Sequence, residues 1–209
     1  MCGESDEDQL LKRLRAGDAQ AQGELFMLHR QRLWRVIHFR LDRRLRGRID
    51  ADDVLQEAFL SAASRITHFL DSTSFTFFIW LRTVAIQTLI DLHRRHIGTQ
   101  QRDAGREVSL PGEQNSDATS SVMASYLSGN LTSPSGVAMR QELVEQLERA
   151  INEMSAIDQD VLALRHFEEL TNSEVAEVLA IQEKAASIRY VRALKRLKEI
   201  LEVTQIATL

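Results

Sequence analysis

The 209-residue sequence has few residues that interrupt helices or form covalent cross-links. It contains two prolines and nine glycines, and the stretches between them are rich in Leu, Ala, Glu, Arg and Gln, which favours a mainly helical protein. Its single cysteine, Cys2, excludes an internal disulfide and a thiolate metal cage. No apolar run approaches the roughly 20 residues of a membrane helix, and the N-terminus MCGESDEDQ is too acidic for an export signal. We therefore expect a cytoplasmic protein without a membrane partner.

Charge is distributed unevenly along this chain, whose formal net charge is −4. Residues 30–48 hold eight arginines against one acid, Asp42. The segment KAASIRYVRALKRLK, residues 184–198, holds six basic residues and no acid. Because attraction to phosphates depends on the basic groups that reach them, an acidic protein of this kind needs a partner to deliver its basic helices to DNA.

Helical periodicity predicts a first domain over residues 10–97, after a disordered tail at 1–9. Asp18 is the expected N-cap of a helix that ends near Arg46. The apolar residues of this helix recur at helical intervals and predict its buried side: Leu25, Leu28, Leu33, Val36 and Ile37. Asp50 should cap the next helix, DADDVLQEAFLSAASRI, and FTFFIWLRTVAIQTLIDLHRRH should form another. These helices predict one bundle.

A polar segment and a second helical domain follow. Residues 98–132 lack periodicity and are rich in Gly, Ser, Gln, Asn and Asp, which predicts a flexible linker. Over residues 133–209, Asp158 is a candidate helix cap, and Thr171 with Glu174 forms a capping-box pair. A capped short helix, a tight turn and a basic helix are typical of a helix-turn-helix. The predicted fold is all-α, with two helical domains joined by a flexible linker.

The basic helix has two distinct faces at about 100° per residue. The face expected to pack contains Ala186, Tyr190, Ala193, Leu197 and Leu201. The opposite face contains Lys184, Ser187, Ile188, Val191, Arg192 and Lys195. Ile188 and Val191 would be costly in water, by on the order of a kcal/mol each, whereas in a major groove both can meet thymine methyls. Lys184 and Arg192 would then contact base edges or phosphates. The alternative interpretation is that this segment is a basic helix exposed to solvent that binds no DNA.

Four segments, in this order, resemble the extracytoplasmic-function group of bacterial RNA polymerase sigma factors. GDAQAQGELF resembles the group's opening helix, and DADDVLQEAFLSA resembles the segment that docks on the polymerase clamp. FIWLRTVAIQTLIDLHRR resembles the promoter-opening helix with its Trp-Leu and Asp-x-x-Arg-Arg landmarks. LRHFEELTNSEVAEVLAIQEKAASIRYVRALKRLKEIL resembles the helix-turn-helix that reads the upstream promoter element. The resemblance implies a factor that binds core RNA polymerase and promoter DNA and directs transcription initiation, with an anti-sigma factor as a further candidate partner.

The resemblance also assigns roles to individual residues. It implies that the polymerase clamp contacts Asp53, Gln56 and Glu57. It implies that the downstream promoter element lies along Arg82, Gln87, Arg94 and Arg95. The loop THFLDSTSFT, residues 67–76, corresponds to the segment that captures an unstacked base. Trp80 is expected to pack in the core, because an aromatic at helical spacing usually points inward.

Two residues near the turn depart from the group's pattern. Ala180 stands where a glycine is usual, and a positive φ there would cost on the order of 1 kcal/mol. Gln182 is a weaker helix start than the usual serine or threonine. The linker is also longer than expected for the group.

Three other functions compete with this interpretation. The first is a helix-turn-helix regulator that acts without polymerase, and the second is an interaction protein whose basic helix binds an acidic partner. The third is a metalloenzyme built on His93 and His96, with Asp91 nearby. Since HExxH, glycine-rich phosphate-loop and nucleophile motifs are missing from the sequence, we expect no catalytic residue, metal or cofactor.

Overall fold

The structure, a computed structural model, contains two compact units, Met1–Arg106 and Glu107–Leu209. It describes residues 6–41, 48–71, 75–101, 123–124 and 134–206. All regular elements in these ranges are helical, which confirms the predicted all-α class. None of the helices in the described part of the chain is long and apolar enough to cross a membrane.

The first unit consists, in its described residues, of helices packed side by side. They are α1 (Asp6–Arg15), α2 (Ala19–Arg40), α3 (Ala51–Asp71) and α4 (Phe77–Gln101). Residues 6–9 are helical, so the prediction of a tail over 1–9 is wrong for them. Helix α2 ends before the predicted Arg46, at Arg40, where the Leu41 N–H still donates to the Ile37 carbonyl.

The junction of α1 and α2 is held by a small charged network. Asp18 caps α2 as predicted, and its side chain accepts a hydrogen bond from the Gln20 N–H at 2.9 Å. The Arg13 guanidinium donates to Asp18 at 2.8 Å and also pairs with Glu24 at 2.8 Å. Hydrogen bonds from Arg13, then from the Gln20 N–H, lower the pKa of Asp18. Together these contacts fix α1 against the first turns of α2.

Buried apolar side chains from α2, α3 and α4 form the core of this unit. Those without any exposed surface are Ala21, Leu25, Leu33, Val36, Ile37, Val54, Ala58, Leu81 and Ala85. His29 is also buried, with its ring 5.3 Å from that of Phe78. Leu28 is 47% exposed, so its predicted place on the buried side of α2 is wrong.

The second unit packs its last helix against the preceding ones. Its described elements are α5 (Pro134–Asn152), α6 (Ala156–Leu162), a π-helical turn (Ala163–Phe167), α7 (Asn172–Val178) and α8 (Glu183–Ile206). Ser155 caps α6 by accepting from the Asp158 N–H at 3.2 Å, so the prediction of Asp158 as the cap is wrong. The Thr171–Glu174 capping box is confirmed, with hydrogen bonds of 2.8 and 3.2 Å.

The predicted linker, residues 98–132, is described only in part. Helix α4 continues into it as far as Gln101. Met123 and Ala124 are helical and buried. The other residues of the segment lie outside the described ranges, so flexibility there stays a prediction.

Candidate nucleic-acid and protein interfaces

A left-handed turn joins α7 to α8. After Leu179 caps α7, Ala180 adopts a φ of 51°. The Ile181 N–H donates to the Ala176 carbonyl at 2.9 Å, and the Ala180 N–H donates to the Glu177 carbonyl at 3.4 Å. This is the hydrogen-bond pattern of a Schellman motif, which normally has glycine at the left-handed position. The positive φ considered for Ala180 is therefore present.

The inner face of α8 holds this helix against the rest of the unit. Ala186 and Ala193 are almost fully buried and Leu197 is 8% exposed, as the periodicity predicted. The half-buried Tyr190 is hydrogen-bonded through its hydroxyl to His166 Nε2, at 2.9 Å. This bond ties α8 to the π-helical turn.

Arg165 completes a cluster with His166 and Tyr190. Its guanidinium lies 5.1 Å from the centre of the Tyr190 ring, which is within cation–π distance. It also donates to the Leu170 carbonyl. Burial, and then the charge of Arg165, lower the pKa of His166. The neutral imidazole is therefore favoured beside Tyr190.

The outer face of α8 combines cations with exposed apolar side chains. Ile188 is 42% exposed and Val191 is 61% exposed. Of the other predicted residues, Lys184, Arg192 and Lys195 are exposed and Ser187 is half-buried. Lys195 lies 3.8 Å from Glu199. Lys184 and Arg192 have no ion-pair partner among the residues that the structure describes, so both remain able to contact phosphates or base edges.

Helix α4 brings only some of its predicted residues to one surface. Gln87, Arg94 and Arg95 are exposed, and Gln87 and Arg94 project within about 20° of each other around the helix axis. Gln87 donates to the Asp91 carboxylate at 3.1 Å. Arg82 is only 7% exposed. The structure therefore does not place Arg82 on the face that Gln87 and Arg94 share.

Trp80 is part of an aromatic cluster at the start of α4. Its ring lies 5.0 Å from the ring of Phe69 and 5.6 Å from the ring of Phe77. Trp80 itself is half-buried, so it packs against the core as predicted but keeps part of its surface exposed. The prediction of a loop over residues 67–76, which would capture a base, is wrong for residues 67–71, because α3 continues to Asp71. Residues 72–74 lie outside the described ranges, and Phe75 is 51% exposed.

The residues predicted to contact the polymerase clamp have different surroundings at the start of α3. Asp53 donates its N–H to the Asp50 carboxylate at 2.8 Å and accepts from the Asp50 N–H at 3.0 Å. This reciprocal cap confirms Asp50 as the helix start and gives Asp53 a structural role. Gln56 and Glu57 are exposed on the following turn and are available to a partner.

Beside Gln56, an apolar groove of about 480 Å³ runs between α2 and α3. Its lining includes Phe26 and Phe59, whose rings meet edge to face at 4.9 Å. Met27, 65% exposed, also lines the groove. Sequence reasoning missed this groove, although Met27 could have been noticed as an apolar residue outside the predicted buried stripe. An exposed apolar groove of this kind suits a protein side chain.

The metal site proposed for His93 and His96 gains no support. His93 is 9% exposed, and the side chain of His96 lies outside the described residues. No group of three or more His, Cys, Asp or Glu side chains in the described ranges can hold a metal ion.

The fold and these surfaces define a helix-turn-helix DNA-binding protein that also carries an exposed apolar groove. A model of the ECF sigma factor family matches residues 4–202, and the chain belongs to this family. It is a sigma factor: it binds core RNA polymerase, recognises promoter DNA and directs transcription initiation.

Curated relatives agree with this membership. The chain is 29% identical over 152 residues to RNA polymerase sigma factor YlaC of Bacillus subtilis, covering 73% of this chain and 77% of the relative. It is 24% identical to the RNA polymerase sigma-H factor of Pseudomonas aeruginosa, covering 97% of both chains. It is 23% identical to ECF RNA polymerase sigma factor SigW of Bacillus subtilis, covering 90% of this chain and 93% of that one.

A solved structure shares the fold. CnrH, solved in complex with the cytosolic domain of CnrY, is 21% identical and has a TM-score of 0.52. The match covers 95% of this chain and 99% of CnrH.

Proposed function

We propose that the two units divide the work of a sigma factor. The start of α3 and the adjoining groove dock on core polymerase, the outer face of α4 lies along the downstream promoter element, and α8 reads the upstream element. The observation that carries this proposal is the outer face of α8, where Ile188 and Val191 are exposed between cations. Exposed apolar side chains in such a setting are disfavoured in water and suit the thymine methyls of a major groove.

On the polymerase side, Gln56 and Glu57 make the polar contacts. Both are exposed at the start of α3, next to a groove that can accept an apolar anchor from the partner, as the centres of protein interfaces commonly do. Asp53 contributes through the reciprocal cap with Asp50, which keeps the first turn of α3 in place. The exposure of Gln56 and Glu57 and the shape of the adjoining groove together support this docking surface.

On the downstream side, Gln87, Arg94 and Arg95 contact DNA. Gln87 and Arg94 share one face of α4, and Arg95 is exposed beside them. Arg82 is left out of this contact set because its side chain is buried. An unstacked base is held by the segment at residues 67–76, which consists of the end of α3 and the connection to α4 and whose hydroxyl, carboxylate and imidazole groups offer donors and acceptors.

On the upstream side, Lys184, Arg192 and Lys195 approach phosphates and base edges while Ile188 and Val191 meet methyl groups. Ser187, half-buried on the same face, offers a hydroxyl to either a base or a phosphate. The linker predicted at residues 98–132 allows this unit to bind while the first unit is docked elsewhere.

Regulation by an anti-sigma factor is part of the proposal, since the related CnrH was solved with a protein partner, the cytosolic domain of CnrY. A factor of this kind works in the cytoplasm and joins the nucleoid within the holoenzyme. No catalytic role is proposed for any residue.

Gel shifts of promoter DNA, with and without core polymerase, test this function. We expect specific binding only when core is present, because the free chain is acidic overall and α8 alone offers few contacts. Tight operator binding by the free chain would instead identify a stand-alone regulator.

Arg192→Ala tests the upstream assignment within the same assay. It should weaken binding to the upstream element by roughly 5- to 150-fold, equivalent to about 1–3 kcal/mol, if Arg192 makes a bidentate base contact. Arg196→Ala is the matched control, because Arg196 lies one turn further along and pairs with Glu199 at 3.8 Å. An equal loss on every DNA sequence would make Arg192 a phosphate contact.

A further inference from the structure

The N-terminal half of α8, which carries the outer face proposed to contact DNA, has small side chains at the centre of its buried side. Ala186 is 1% exposed and Ala193 is fully buried. A methyl group projects little beyond the backbone, so these two alanines interlock only weakly with neighbouring helices. Larger buried residues, Leu197 and Ile200, lie further along the chain. Packing of the two alanines therefore does little to fix the rotation of this half of α8 about its axis.

Tyr190 supplies a directional contact at the edge of this buried side. At about 100° per residue, it projects between the buried Ala186 and the exposed Val191. Its hydroxyl oxygen lies 2.9 Å from His166 Nε2. A hydrogen bond weakens steeply when it is bent, so a bond at the tip of this long side chain resists rotation of α8. The direction in which Val191 and the rest of the outer face project is thereby fixed.

The π-helical turn (Ala163–Phe167) holds the partner of this hydroxyl in place. The Glu168 N–H donates to the Ala163 carbonyl at 3.1 Å and closes the turn. His166 is half-buried within it, and its ring lies 5.5 Å from the ring of Tyr190. Turns of this kind are rare and frequently occur at functional sites. The hydrogen bond therefore joins α8 to a backbone segment that is itself closed.

The surroundings of His166 make this contact sensitive to protonation of the imidazole. Among the described residues, the titratable groups that face it are Tyr190 of α8 and Arg165 of its own turn. Burial, and then the charge of Arg165, lower the pKa of His166. Uptake of a proton therefore favours the release of His166 from Tyr190. His166 is the single histidine in residues 107–209, so it is the side chain of this unit whose ordinary pKa lies closest to neutral pH.

We propose that the hydrogen bond between Tyr190 and His166 is a positioning contact, which sets the rotation of α8 and so aligns its outer face with the bases of the upstream promoter element. This inference rests on the function proposed for α8. Side-chain tips lie about 5–6 Å from a helix axis, so a rotation of about 20° moves them by about 2 Å. Hydrogen bonds to base edges are lost over such a distance, because they need donor–acceptor separations of about 2.7–3.2 Å.

Phosphate contacts depend less on this alignment than base contacts do. Lysine and arginine side chains are long, and phosphates offer oxygens all along the backbone, so small rotations of the helix are tolerated. Tyr190 and His166 are therefore expected to control discrimination between DNA sequences and to leave the general attraction to DNA unchanged.

Binding of the holoenzyme to two duplexes measures this discrimination. One duplex carries a promoter that the holoenzyme transcribes, and the other is the same DNA with a scrambled upstream element. The full-length Tyr190→Phe variant keeps the ring and loses the hydroxyl. The ratio of the two affinities should fall by about 2- to 12-fold, the equivalent of one neutral hydrogen bond. The salt dependence of binding should stay the same, because no phosphate contact is removed.

Variants of His166 separate the hydrogen bond from packing. His166→Leu removes the partner of the hydroxyl, so it should lower the affinity ratio as Tyr190→Phe does, and the double variant should show no further loss. His166→Gln offers an amide to Tyr190 without a titratable group and should retain most of the ratio. In the parent the ratio should decrease between about pH 7.5 and pH 5.5, whereas in His166→Gln it should stay constant.

Ile200→Val is the matched control for a loss of stability. Ile200 is 9% exposed and lies on the buried side of α8, about three turns beyond Tyr190. Its truncation lowers Tm without removing the hydrogen bond. All affinities are measured well below the Tm of each variant, and the ratio for Ile200→Val should equal that of the parent. If Ile200→Val lowers the ratio as much as Tyr190→Phe does, the effect is one of stability and the positioning role is wrong.

An unchanged affinity ratio in both Tyr190→Phe and His166→Leu would also overturn the proposal. Arg192→Ala, measured on the same two duplexes, separates this failure from that of the proposed function. If Arg192→Ala weakens promoter binding while Tyr190→Phe leaves the ratio unchanged, α8 still binds the upstream element and only the positioning role is wrong. If neither variant changes any affinity, the role proposed for α8 itself fails.

Discussion

Replacing Ala180 by glycine should stabilise the second unit. Ala180 adopts a φ of 51° at the position of a Schellman motif that glycine normally occupies. Its side chain is exposed, so removal of the methyl group costs little packing. The hydrogen bonds of the turn involve only backbone atoms of residues 176–181, and glycine preserves them.

The size of the effect follows from two opposing contributions. A left-handed conformation costs an L-residue roughly 1–2 kcal/mol. Glycine removes this cost, but its greater conformational entropy stabilises the unfolded chain by about 0.4–1 kcal/mol. The Ala180→Gly variant should therefore gain about 0.5–1 kcal/mol in the free energy of unfolding, which corresponds to about 2–8 °C in Tm for a unit of this size.

Thermal unfolding of the full-length protein, followed by circular dichroism, measures this gain. Ala185→Gly is the matched control, because Ala185 lies in the first turn of α8, where glycine costs roughly 1 kcal/mol. The same alanine-to-glycine change should thus raise Tm at one position and lower it five residues later. Promoter binding by the Ala180→Gly holoenzyme should be retained, since the angle between α7 and α8 does not change.

A Tm for Ala180→Gly at or below that of the parent would refute the reasoning. Combined with a lower Tm for Ala185→Gly, this result would mean that residue 180 is not left-handed in solution. The departure from the usual glycine would then reflect a different turn.

Two other predictions concern charged and titratable side chains. Gln56→Ala with Glu57→Ala should weaken binding to core polymerase, measured by fluorescence anisotropy, without lowering Tm, because both side chains are exposed; unchanged affinity would contradict the assignment. Because the pKa of His166 is lowered in the folded protein, the unfolded chain binds a proton at this residue at a higher pH than the folded protein does. The free energy of unfolding therefore decreases as the pH falls through about 6.5. The difference in Tm between about pH 7.5 and pH 5.5 should be smaller in the His166→Gln variant than in the parent. Equal differences in the two proteins would refute a contribution of His166 to the pH dependence of stability.

Local hydrogen bonding explains which features could be predicted from sequence. The caps at Asp18, Asp50 and Thr171 depend on side chains within three residues of their backbone partners, so their spacing in the sequence is sufficient. The two faces of α8 follow from helical geometry alone. The cap of α6 was predicted at Asp158 but lies three residues earlier, at Ser155, because periodicity does not fix the first residue of a helix.

Packing between helices explains what sequence could not provide. The family resemblance assigned Arg82 to DNA. A long arginine side chain can lie along neighbouring apolar surface, however, and its burial depends on which helices surround α4. The exposure of Leu28 and Met27 likewise depends on how α2 and α3 pack. The groove between these helices exists only in the assembled bundle, so no single segment encodes it. Separately, the roles of Gln56, Glu57 and the α8 face stay predictions.

Tethering can explain how an acidic chain makes productive use of a small basic surface. Helix α8 offers few contacts of its own, and a net charge of −4 provides little long-range attraction to DNA. Once the first unit is docked on polymerase, a flexible linker would hold the second at an effective concentration in the millimolar range. Weak binding by α8 is then sufficient, because its search is restricted to DNA near the polymerase. This restriction would also favour specificity, since a free chain with little affinity of its own would leave the many upstream-like sites elsewhere on the chromosome unoccupied.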